Sequence, residues 1–494
     1  MQNRQARSSI IKASAKIAKE FLINKVFSRN KGYIDQSEFS LTSLLPQYGN
    51  KKSILLANNV PGFKNSFQFD RLMYDVLTKL GHNVKISVCD GVLDACMACK
   101  WANLNSYLNS NDSKWRDHPS ACARCEKATS NFDVASNDLL LFSSFYQGLS
   151  NRSSSNHGCE SLDFSDMSEN VIDGLHEHAY SGTVRYFANG NPALEKDFEA
   201  IYNKYYYAAI STYRIIKNML LYYKPDVIVA NHGIYVPQGV VVQLAKELGI
   251  RVITWNPSYR SGTFLFVEGD TYHKIMPNLP KAIKPINDYQ RERLRKYIYS
   301  RQEGTNDWIS FNKSSDEPVE VNSNRQSFQK TVSIFTNVFW DAQVHFDNSA
   351  YKNMLEWLDE CLEVASSKKS WQFVFRVHPA EKTGFVKSRF DVGSYIRNKG
   401  SYLPNVYVYD SGSKVSSYKI ASYSNATVVY GSKIGAEIAC SGIPVVVCGD
   451  SWARGKGFTI DIAAKGLLLK NLEHALCLTP DELRHMKQLA ESYC

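Results

Sequence analysis

Four cysteines in the N-terminal half of the sequence have the spacing of metal ligands. Cys96 and Cys99 form one Cys-x-x-Cys pair, and Cys122 and Cys125 form a second. Two such pairs supply four thiolates, the usual tetrahedral shell of a structural zinc ion, and a filled shell leaves no open position for a substrate. An iron–sulfur cluster uses the same thiolate ligands. The same spacing would also be seen if one pair were redox-active or if the two pairs were unrelated. The double spacing favours metal binding, with zinc as the expected ion.

A second group of polar residues follows a short apolar strand near the C-terminus. Val429 leads into Gly431 and Ser432, which begin a predicted helix, and Glu437 lies within that helix. The free N–H groups and positive dipole end of such a helix bind phosphate, and Glu437 is positioned to accept hydrogen bonds from a ribose. Serine is also a frequent helix cap, so this motif alone leaves phosphate binding and capping both open.

Three ionisable residues lie at or just past the end of a predicted strand at 372–377. They are Arg376, His378 and Glu381, and Pro379 follows the histidine directly. Proline pushes its predecessor out of the helical region, so the imidazole is expected in a fixed, non-helical loop. Taken alone, a histidine of this kind is more often structural than catalytic.

The elements that position these residues alternate between strand and helix. Predicted strands of the first half lie at 53–57, 84–88, 226–230 and 251–255. The cysteine-rich segment 89–129 follows one of these strands directly, so we expect it to be an insertion at the end of a strand. Alternation at this spacing predicts a parallel, doubly wound sheet, in which ligands bind beyond the carboxyl ends of the strands.

A second alternating set begins after a polar stretch that contains a basic helical segment at 289–301. Its predicted strands lie at 332–336, 372–377, 406–409, 426–430 and 445–448. The fold class is therefore α/β with two doubly wound domains. The predicted organisation is a basic N-terminal segment at 1–50, a first domain at 51–280, a linker at 281–330 and a second domain at 331–494.

Several motifs of the second half together resemble the capsule polysaccharide biosynthesis proteins. The motifs are Arg376-Val-His378-Pro379, Ser432-x-x-Gly435-x-Glu437, Gly442-x-Pro444 and Gly455-Lys-Gly-Phe-Thr459. The resemblance is strongest over 331–465 and weaker over 224–275. It implies a bacterial glycosyltransferase with the GT-B architecture of two Rossmann-like domains. The second domain would then bind a nucleotide-sugar donor and the first domain would face the acceptor.

The resemblance also implies roles for individual residues. His378 and Ser432 would face the donor phosphate, and Glu437 would face the donor ribose. Ser416 and Ser417 would either reach the phosphate or cap the helix that starts there. The expected donor-binding residues are Arg376, His378, Glu381, Ser416, Ser417, Ser432, Glu437 and Thr459.

Glycosyl transfer also needs a base or nucleophile that faces the sugar. The candidates are His232, Glu268 and Asp270 in loops of the first domain and Asp341 in the second. His232 is the first choice, although it is equally suited to cap a helix, and the carboxylates at 268 and 270 are suited to shape a turn. A clear Asp-x-Asp metal signature is absent from the sequence, which fits a site without an obligatory catalytic metal ion.

The positive charge of the chain is concentrated at its N-terminus. Residues 1–31 hold eight basic residues and one acid, Glu20, so they carry +7 of the net charge of +10. Apolar residues recur there at helical spacing, which suits a helix on an anionic membrane surface. A solvated helix packed on the main body suits the pattern equally well, and an organellar presequence is a third possibility.

Composition and charge exclude several classes of protein. No stretch reaches the roughly 18 consecutive apolar residues of a membrane-spanning helix, and the N-terminus lacks the features of a secretory signal. We expect a cytoplasmic protein, either free or peripheral on the inner face of the cytoplasmic membrane. Acidic and basic side chains balance within 89–129, so no nucleic-acid partner is expected.

Three functions compete with glycosyl transfer onto a polysaccharide, glycolipid or other glycan. A nucleotide-sugar 2-epimerase has a similar two-domain shape and helix start, and a polyol-phosphate transferase also uses His-Pro loops. A zinc-module binding protein is the third, from a different class. The sequence leaves the donor nucleotide open among UDP, CMP and GDP.

Overall fold

The computed structural model divides the chain into two compact units. Unit 1 comprises Met1–Gly182 and Glu199–Tyr272, and unit 2 comprises Thr183–Phe198 and His273–Cys494. The residues that the structure describes are 50–57, 59–62, 64–99, 120–130, 134–146, 164–258, 263–274, 285–303, 305, 328–341, 349–384 and 386–494. The predicted membrane-binding segment 1–31 and part of the cysteine-rich insertion, 100–119, lie outside these residues.

Unit 1 is built on a six-stranded sheet in the order β3-β2-β1-β4-β5-β6. The strands are β1 Ser53–Ala57, β2 Asn83–Val88, β3 Leu139–Leu141, β4 Val227–Asn231, β5 Arg251–Pro257 and β6 Phe264–Glu268. All neighbouring pairs are parallel except β5 and β6, which are antiparallel. The predicted doubly wound parallel sheet is therefore confirmed for this unit, with an antiparallel strand added at one edge.

The helices of unit 1 alternate with its strands. They are α1 Lys64–Lys79, α2 Ser120–Ser130, α3 Phe142–Phe145, α4 Glu169–Phe187, α5 Phe198–Tyr223 and α6 Gln238–Glu247, of which α4 and α5 continue into unit 2 at one end. Apolar residues of β1, β2 and β4 form the core with Phe69 and Tyr74 of α1. Among the helices of the described residues, none is long and apolar enough to cross a membrane.

Unit 2 holds a second six-stranded sheet in the order β12-β11-β10-β7-β8-β9, and all of its pairs are parallel. Its strands are β7 Lys330–Phe335, β8 Trp371–Arg376, β9 Val406–Tyr409, β10 Ala426–Val429, β11 Val445–Val447 and β12 Ile460–Asp461. Its helices are α7 Asp288–Glu303, α8 Met354–Ser367, α9 Ala380–Thr383, α10 Val392–Gly400, α11 Ser417–Ser422, α12 Ile434–Ala439, α13 Leu468–Leu476 and α14 Pro480–Tyr493.

Two features of unit 2 matter for its site. Parallel strands place all of their carboxyl ends at one edge of the sheet, so the loops after β7, β8 and β10 are neighbours. The basic helix predicted within 281–330 forms as α7, and its Leu294 and Tyr297 join the core of unit 2. A segment that the sequence suggests is a linker thus contributes to the packing of this unit.

The core of unit 2 can be tested at Phe373, whose side chain is fully buried in β8 between β7 and β9. We expect Phe373→Ala to lower the free energy of unfolding of unit 2 by about 3–5 kcal/mol in urea denaturation, because it leaves a cavity. Tyr402, which is 69% exposed, provides the control, since Tyr402→Ala removes little packing. Equal losses in the two variants would contradict the assigned packing.

Candidate functional site

The loop that follows β7 contacts both the His-Pro loop, at His378–Pro379, and the Gly-Ser turn, at Gly431–Ser432. The backbone N–H of His378 donates to Oγ1 of Thr336 at 3.0 Å, and the N–H of Gly431 donates to Oδ1 of Asn337 at 3.2 Å. Two adjacent side chains of one loop thus hold the His-Pro loop on one side and the Gly-Ser turn on the other. Sequence reasoning missed both residues, although polar side chains at a strand's carboxyl end are a usable signal.

His378 has a defined tautomer and charge. Its Nδ1 accepts a hydrogen bond from the N–H of Ala380 at 3.1 Å, so in the neutral imidazole Nε2 carries the proton. Burial and, to a lesser extent, the positive charge of Arg376 lower the pKa of His378 to about 4, and the carboxylate of Asp341 partly opposes the shift. At neutral pH the ring is therefore an uncharged hydrogen-bond donor, and Asp341 lies close enough to influence it.

Arg376 is a buried side chain that binds main-chain oxygens. One guanidinium nitrogen donates to the carbonyls of Val377 at 2.8 Å and Asp410 at 2.5 Å, and another donates to the carbonyl of Ser413 at 2.9 Å. Only 1% of the residue is exposed. These hydrogen bonds hold the loop after β9 against the end of β8. The side chain of Arg376, which was predicted to bind the donor, therefore binds main-chain carbonyls of the protein in this structure.

Glu437 is enclosed by protein side chains and has no exposed surface. Its carboxylate accepts hydrogen bonds from Tyr297 at 2.9 Å, Arg301 at 3.0 Å and Tyr418 at 2.5 Å, and Lys433 lies 3.4 Å away. Two of these partners belong to α7. The predicted contact with a ribose would require at least one of them to be displaced.

The predicted hydroxyl groups occupy different surroundings. Ser432 is partly exposed at the carboxyl end of β10, beside the Gly-Ser turn. Ser416 takes the cap position of α11, but its side chain does not bond the first turn, and Ser417 is the first residue of that helix. The hydroxyl of Thr459 donates to Asp461 of the adjoining strand β12 at 2.7 Å. Of the four, Ser432 lies nearest to the Thr336–Asn337 loop along the sheet edge.

Glu381 lines a cavity of about 860 Å³ with the basic side chains Lys382 and Lys387. The residue is 5% exposed, and its Oε1 has no hydrogen-bond partner within the described part of the chain. Burial and, to a lesser extent, the negative charge of Asp391 raise the pKa of Glu381 to about 8. The cavity therefore holds a carboxyl group that is mostly protonated at neutral pH. Its size suits a ligand of nucleotide dimensions.

In unit 1, His232 lies directly after β4 at the carboxyl edge of the sheet. Its backbone is in the left-handed region, with φ +67°, and its N–H donates to the carbonyl of Trp255 at 3.1 Å. The side chain is partly exposed. His232 is thus held in the kind of loop that the sequence predicts for a ligand-facing residue.

Glu268 and Asp270 lie at and just past the end of β6, the antiparallel edge strand of unit 1. Because β6 is antiparallel to β5, its last residue Glu268 pairs with Ile253, toward the amino end of β5. Glu268 forms two hydrogen bonds with Arg251, and Asp270 forms an ion pair with a lysine in the last turn of α6. Each of these candidate carboxylates is thus paired with a basic side chain of unit 1.

The predicted metal ligands are only partly assembled. The sulfurs of Cys96 and Cys99 are 3.9 Å apart, whereas Cys122 and Cys125 lie on α2. Among the residues that the structure describes, no group of three or more His, Cys, Asp or Glu side chains has the arrangement of a metal site.

Glu437 can be tested by its effect on stability. We expect Glu437→Ala to cost about 3–5 kcal/mol of unfolding free energy, because it leaves Arg301 and Lys433 without their buried partner. Glu292→Ala on the exposed face of α7 is the matched control, since the pair of Glu292 with Lys296 is exposed and is worth at most about 1 kcal/mol. Urea denaturation of both variants measures the difference, and similar small losses would show that the enclosure of Glu437 contributes little.

Glu381 predicts a dependence of stability on pH. The pKa of its carboxyl, about 8 in the folded protein, lies above the ordinary 4.5. The folded state therefore keeps a proton that the unfolded state loses, and stability falls as pH rises from about 4.5 to 8. We expect Glu381→Gln to reduce this fall by about 3 kcal/mol between pH 5 and 8. Urea denaturation of the wild type, Glu381→Gln and the control Glu363→Gln at several pH values measures this difference, since Glu363 is exposed. The same dependence of unfolding free energy on pH in all three proteins would refute the prediction.

Comparison with known proteins gives one family and a set of distant structures. The family model described as capsule polysaccharide biosynthesis protein matches residues 225–478. A comparison with curated proteins finds no match. A Thermosulfurimonas dismutans structure, KpsC beta Kdo 2,4 transferase, has 13% identity and a TM-score of 0.33, and covers 51% of this chain and 79% of its own.

Two further structures are equally distant. KpsC beta Kdo 2,7 transferase of the same organism has 15% identity and a TM-score of 0.32, with 56% of this chain and 79% of that chain covered. UDP-GlcNAc 2-epimerase from Neisseria meningitidis has 11% identity and a TM-score of 0.28, with 90% and 95% covered. Likenesses this weak carry no argument, so the assignment depends on the family model.

The region matched by the family model covers just over half of the 494 residues. It includes the His-Pro loop, the Gly-Ser turn and the loop after β7 that joins them. The chain therefore belongs to the capsule polysaccharide biosynthesis protein family, which confirms the resemblance drawn from its motifs.

Proposed function

We propose that this protein transfers a sugar from a nucleotide-sugar donor to a polysaccharide, glycolipid or other glycan acceptor in the biosynthesis of a bacterial surface polysaccharide, such as capsule or lipopolysaccharide. The observation that carries the proposal is the uncharged His378, held beside the Gly-Ser turn by the Thr336–Asn337 loop, in a chain of the capsule family. This loop system supplies hydrogen-bond donors at the carboxyl edge of the unit 2 sheet, where ligands of such sheets bind.

The donor phosphate is the group that this edge suits best. When the glycosidic bond breaks, negative charge develops on the phosphate of the departing nucleotide, and fixed donors that face this charge stabilise the transition state. Nε2–H of His378 and the hydroxyl of Ser432 are the proposed donors. Arg376 acts indirectly in this proposal, because its guanidinium holds the loop after β9 in place.

The cavity beside the His-Pro loop is the proposed place for the nucleoside. Lys382 and Lys387 give it positive charge, and aromatic side chains of β9, Tyr407 and Tyr409, line it. A protonated Glu381 offers one donor and one acceptor, which suits the polar edge of a nucleobase. Ionisation of this carboxyl would place a negative charge next to an anionic donor, so donor affinity is expected to fall as pH rises through about 8.

Two residues are the proposed candidates for the base that activates the acceptor hydroxyl. His232 lies on a carboxyl-end loop of unit 1, and Asp341 lies near His378 in unit 2, where it pairs with Arg185 at 3.6 Å. Hydrogen-bond donors and basic side chains are proposed to neutralise the phosphate, so no divalent cation is required for catalysis. Replacement of each candidate base separately, at saturating donor, distinguishes them by its effect on kcat.

The donor assignment is tested by thermal shift with UDP, CMP and GDP and with their sugar conjugates. A ligand at about 100 times its Kd adds about 2.7 kcal/mol of apparent stability. We expect one nucleotide to stabilise the wild type and His378→Ala to lose most of that gain, because the phosphate loses a donor. The matched control is His474→Ala, an exposed histidine of α13.

The outcomes of this panel are distinct. Stabilisation of the wild type and of His474→Ala, but not of His378→Ala, supports the phosphate site. Stabilisation that is unchanged in His378→Ala places the nucleotide elsewhere. If no nucleotide or nucleotide sugar stabilises the folded wild type, the proposal of a nucleotide-sugar donor fails.

A further inference from the structure

We propose that Cys96, Cys99, Cys122 and Cys125 bind one structural zinc ion in unit 1, and that this ion fastens the loop that carries His232. The proposal is independent of the donor site, which lies in unit 2. Its evidence is the turn geometry of the first pair, the contacts of the second pair with the loops after β1 and β2, and the contacts that join the first pair to the loop after β4.

The first pair already has the geometry of a metal-binding turn. The N–H of Cys96 donates to the sulfur of Cys99 at 3.2 Å, and the N–H of Cys99 donates to the carbonyl of Cys96 at 3.1 Å, which closes a tight turn. The two sulfurs are 3.9 Å apart. Two ligands of a tetrahedral zinc ion with Zn–S bonds of about 2.3 Å lie about 3.8 Å apart. This pair therefore needs almost no rearrangement to bind the ion.

The second pair meets the loops that follow β1 and β2. Cys125 is buried on α2, and its sulfur accepts a hydrogen bond from the N–H of Gly62 at 3.2 Å. A Cβ at Gly62 would lie 2.9 Å from this sulfur, so only glycine permits the contact. The sulfur of Cys122, one turn earlier, is 4.0 Å from the Cβ position of Gly91, in the loop that leads to Cys96.

The two pairs are connected through the loop between β2 and Cys96. Gly91 of this loop approaches the sulfur of Cys122, and Cys96 follows five residues later. N–H groups directed at sulfur and a cluster of thiols close to the surface are features of structural zinc sites, and metal binding is coupled to the final ordering of such ligands. In the proposal, zinc draws the α2 pair onto the pair that is already formed.

The first pair is joined to the loop after β4. The N–H of Met97 donates to the carbonyl of Val236 at 3.0 Å, and the side-chain amide of Gln238 contacts the Met97 sulfur at 2.9 Å. The hydroxyl of Tyr205 on α5 donates to the carbonyl of Cys96 at 3.2 Å. A filled thiolate shell here would thus brace the segment between His232 and α6 without contacting a substrate.

The metal content of the purified full-length protein is the first test. We expect about one zinc per chain in the wild type by inductively coupled plasma mass spectrometry. Cys96→Ser and Cys125→Ser are each expected to lose it, and Cys477→Ser, at an exposed cysteine of unit 2, is expected to keep it. A wild type without zinc, iron with acid-labile sulfide in its place, or zinc retained in both ligand variants would overturn the proposal.

A second measurement uses the wild type alone, so it does not depend on folding of the variants. Cobalt replacing zinc in a thiolate tetrahedron has the intense visible bands of that geometry, and their absence would overturn the assigned ligands. Hydrogen exchange of residues 232–238 is expected to accelerate on removal of the metal, whereas exchange in unit 2 and its stabilisation by nucleotide stay unchanged. Failure of the zinc proposal is thereby distinguishable from failure of the donor site.

Discussion

The candidate site of unit 2 depends on two hydrogen bonds accepted by adjacent side chains after the central strand β7. Thr336 holds the N–H of His378, and Asn337 holds the N–H of Gly431. A buried N–H that loses its partner costs about 1–3 kcal/mol, so each bond strongly favours one loop conformation. Because β7 lies between β8 and β10, its loop is the one that strand order places beside both motifs, and their separation along the sheet edge follows from strand spacing.

Buried charges in this unit serve mainly to position the backbone. Arg376 binds three main-chain carbonyls, and Glu437 is surrounded by Tyr297, Arg301 and Tyr418. Burying a charge is costly unless it is paired and hydrogen-bonded. Glu437 is paired with Arg301 and Lys433, whereas Arg376 is compensated by main-chain carbonyls. His378 is a neutral donor, and a neutral donor loses less on desolvation than a charged side chain.

The sequence predicts most strands of both sheets because the central parallel strands, such as β1, β7 and β10, are buried and are almost unbroken apolar runs. It does not predict β6, since nothing in the run from Phe264 to Glu268 indicates strand direction, and that direction decides which edge Glu268 occupies. The hydrogen-bond partners of Glu437 could not be predicted from the sequence either. Tyr297 and Arg301 are far from it in sequence and lie in a polar stretch that resembles a linker. Motif spacing finds the candidate residues, whereas their contacts depend on tertiary packing.

The backbone conformation of His232 helps to choose between His232 and Asp341 as the candidate base for the acceptor hydroxyl. A left-handed conformation is unfavourable for a residue with a Cβ and persists only where its surroundings impose it. Here the bond from its N–H to Trp255, and the glycine that follows with φ +73°, impose it. Asp341 occupies an ordinary turn and already neutralises Arg185. Strain that is retained on a carboxyl-end loop, where an asparagine or glycine would relieve it, supports His232 over Asp341 as the candidate base of the proposed function.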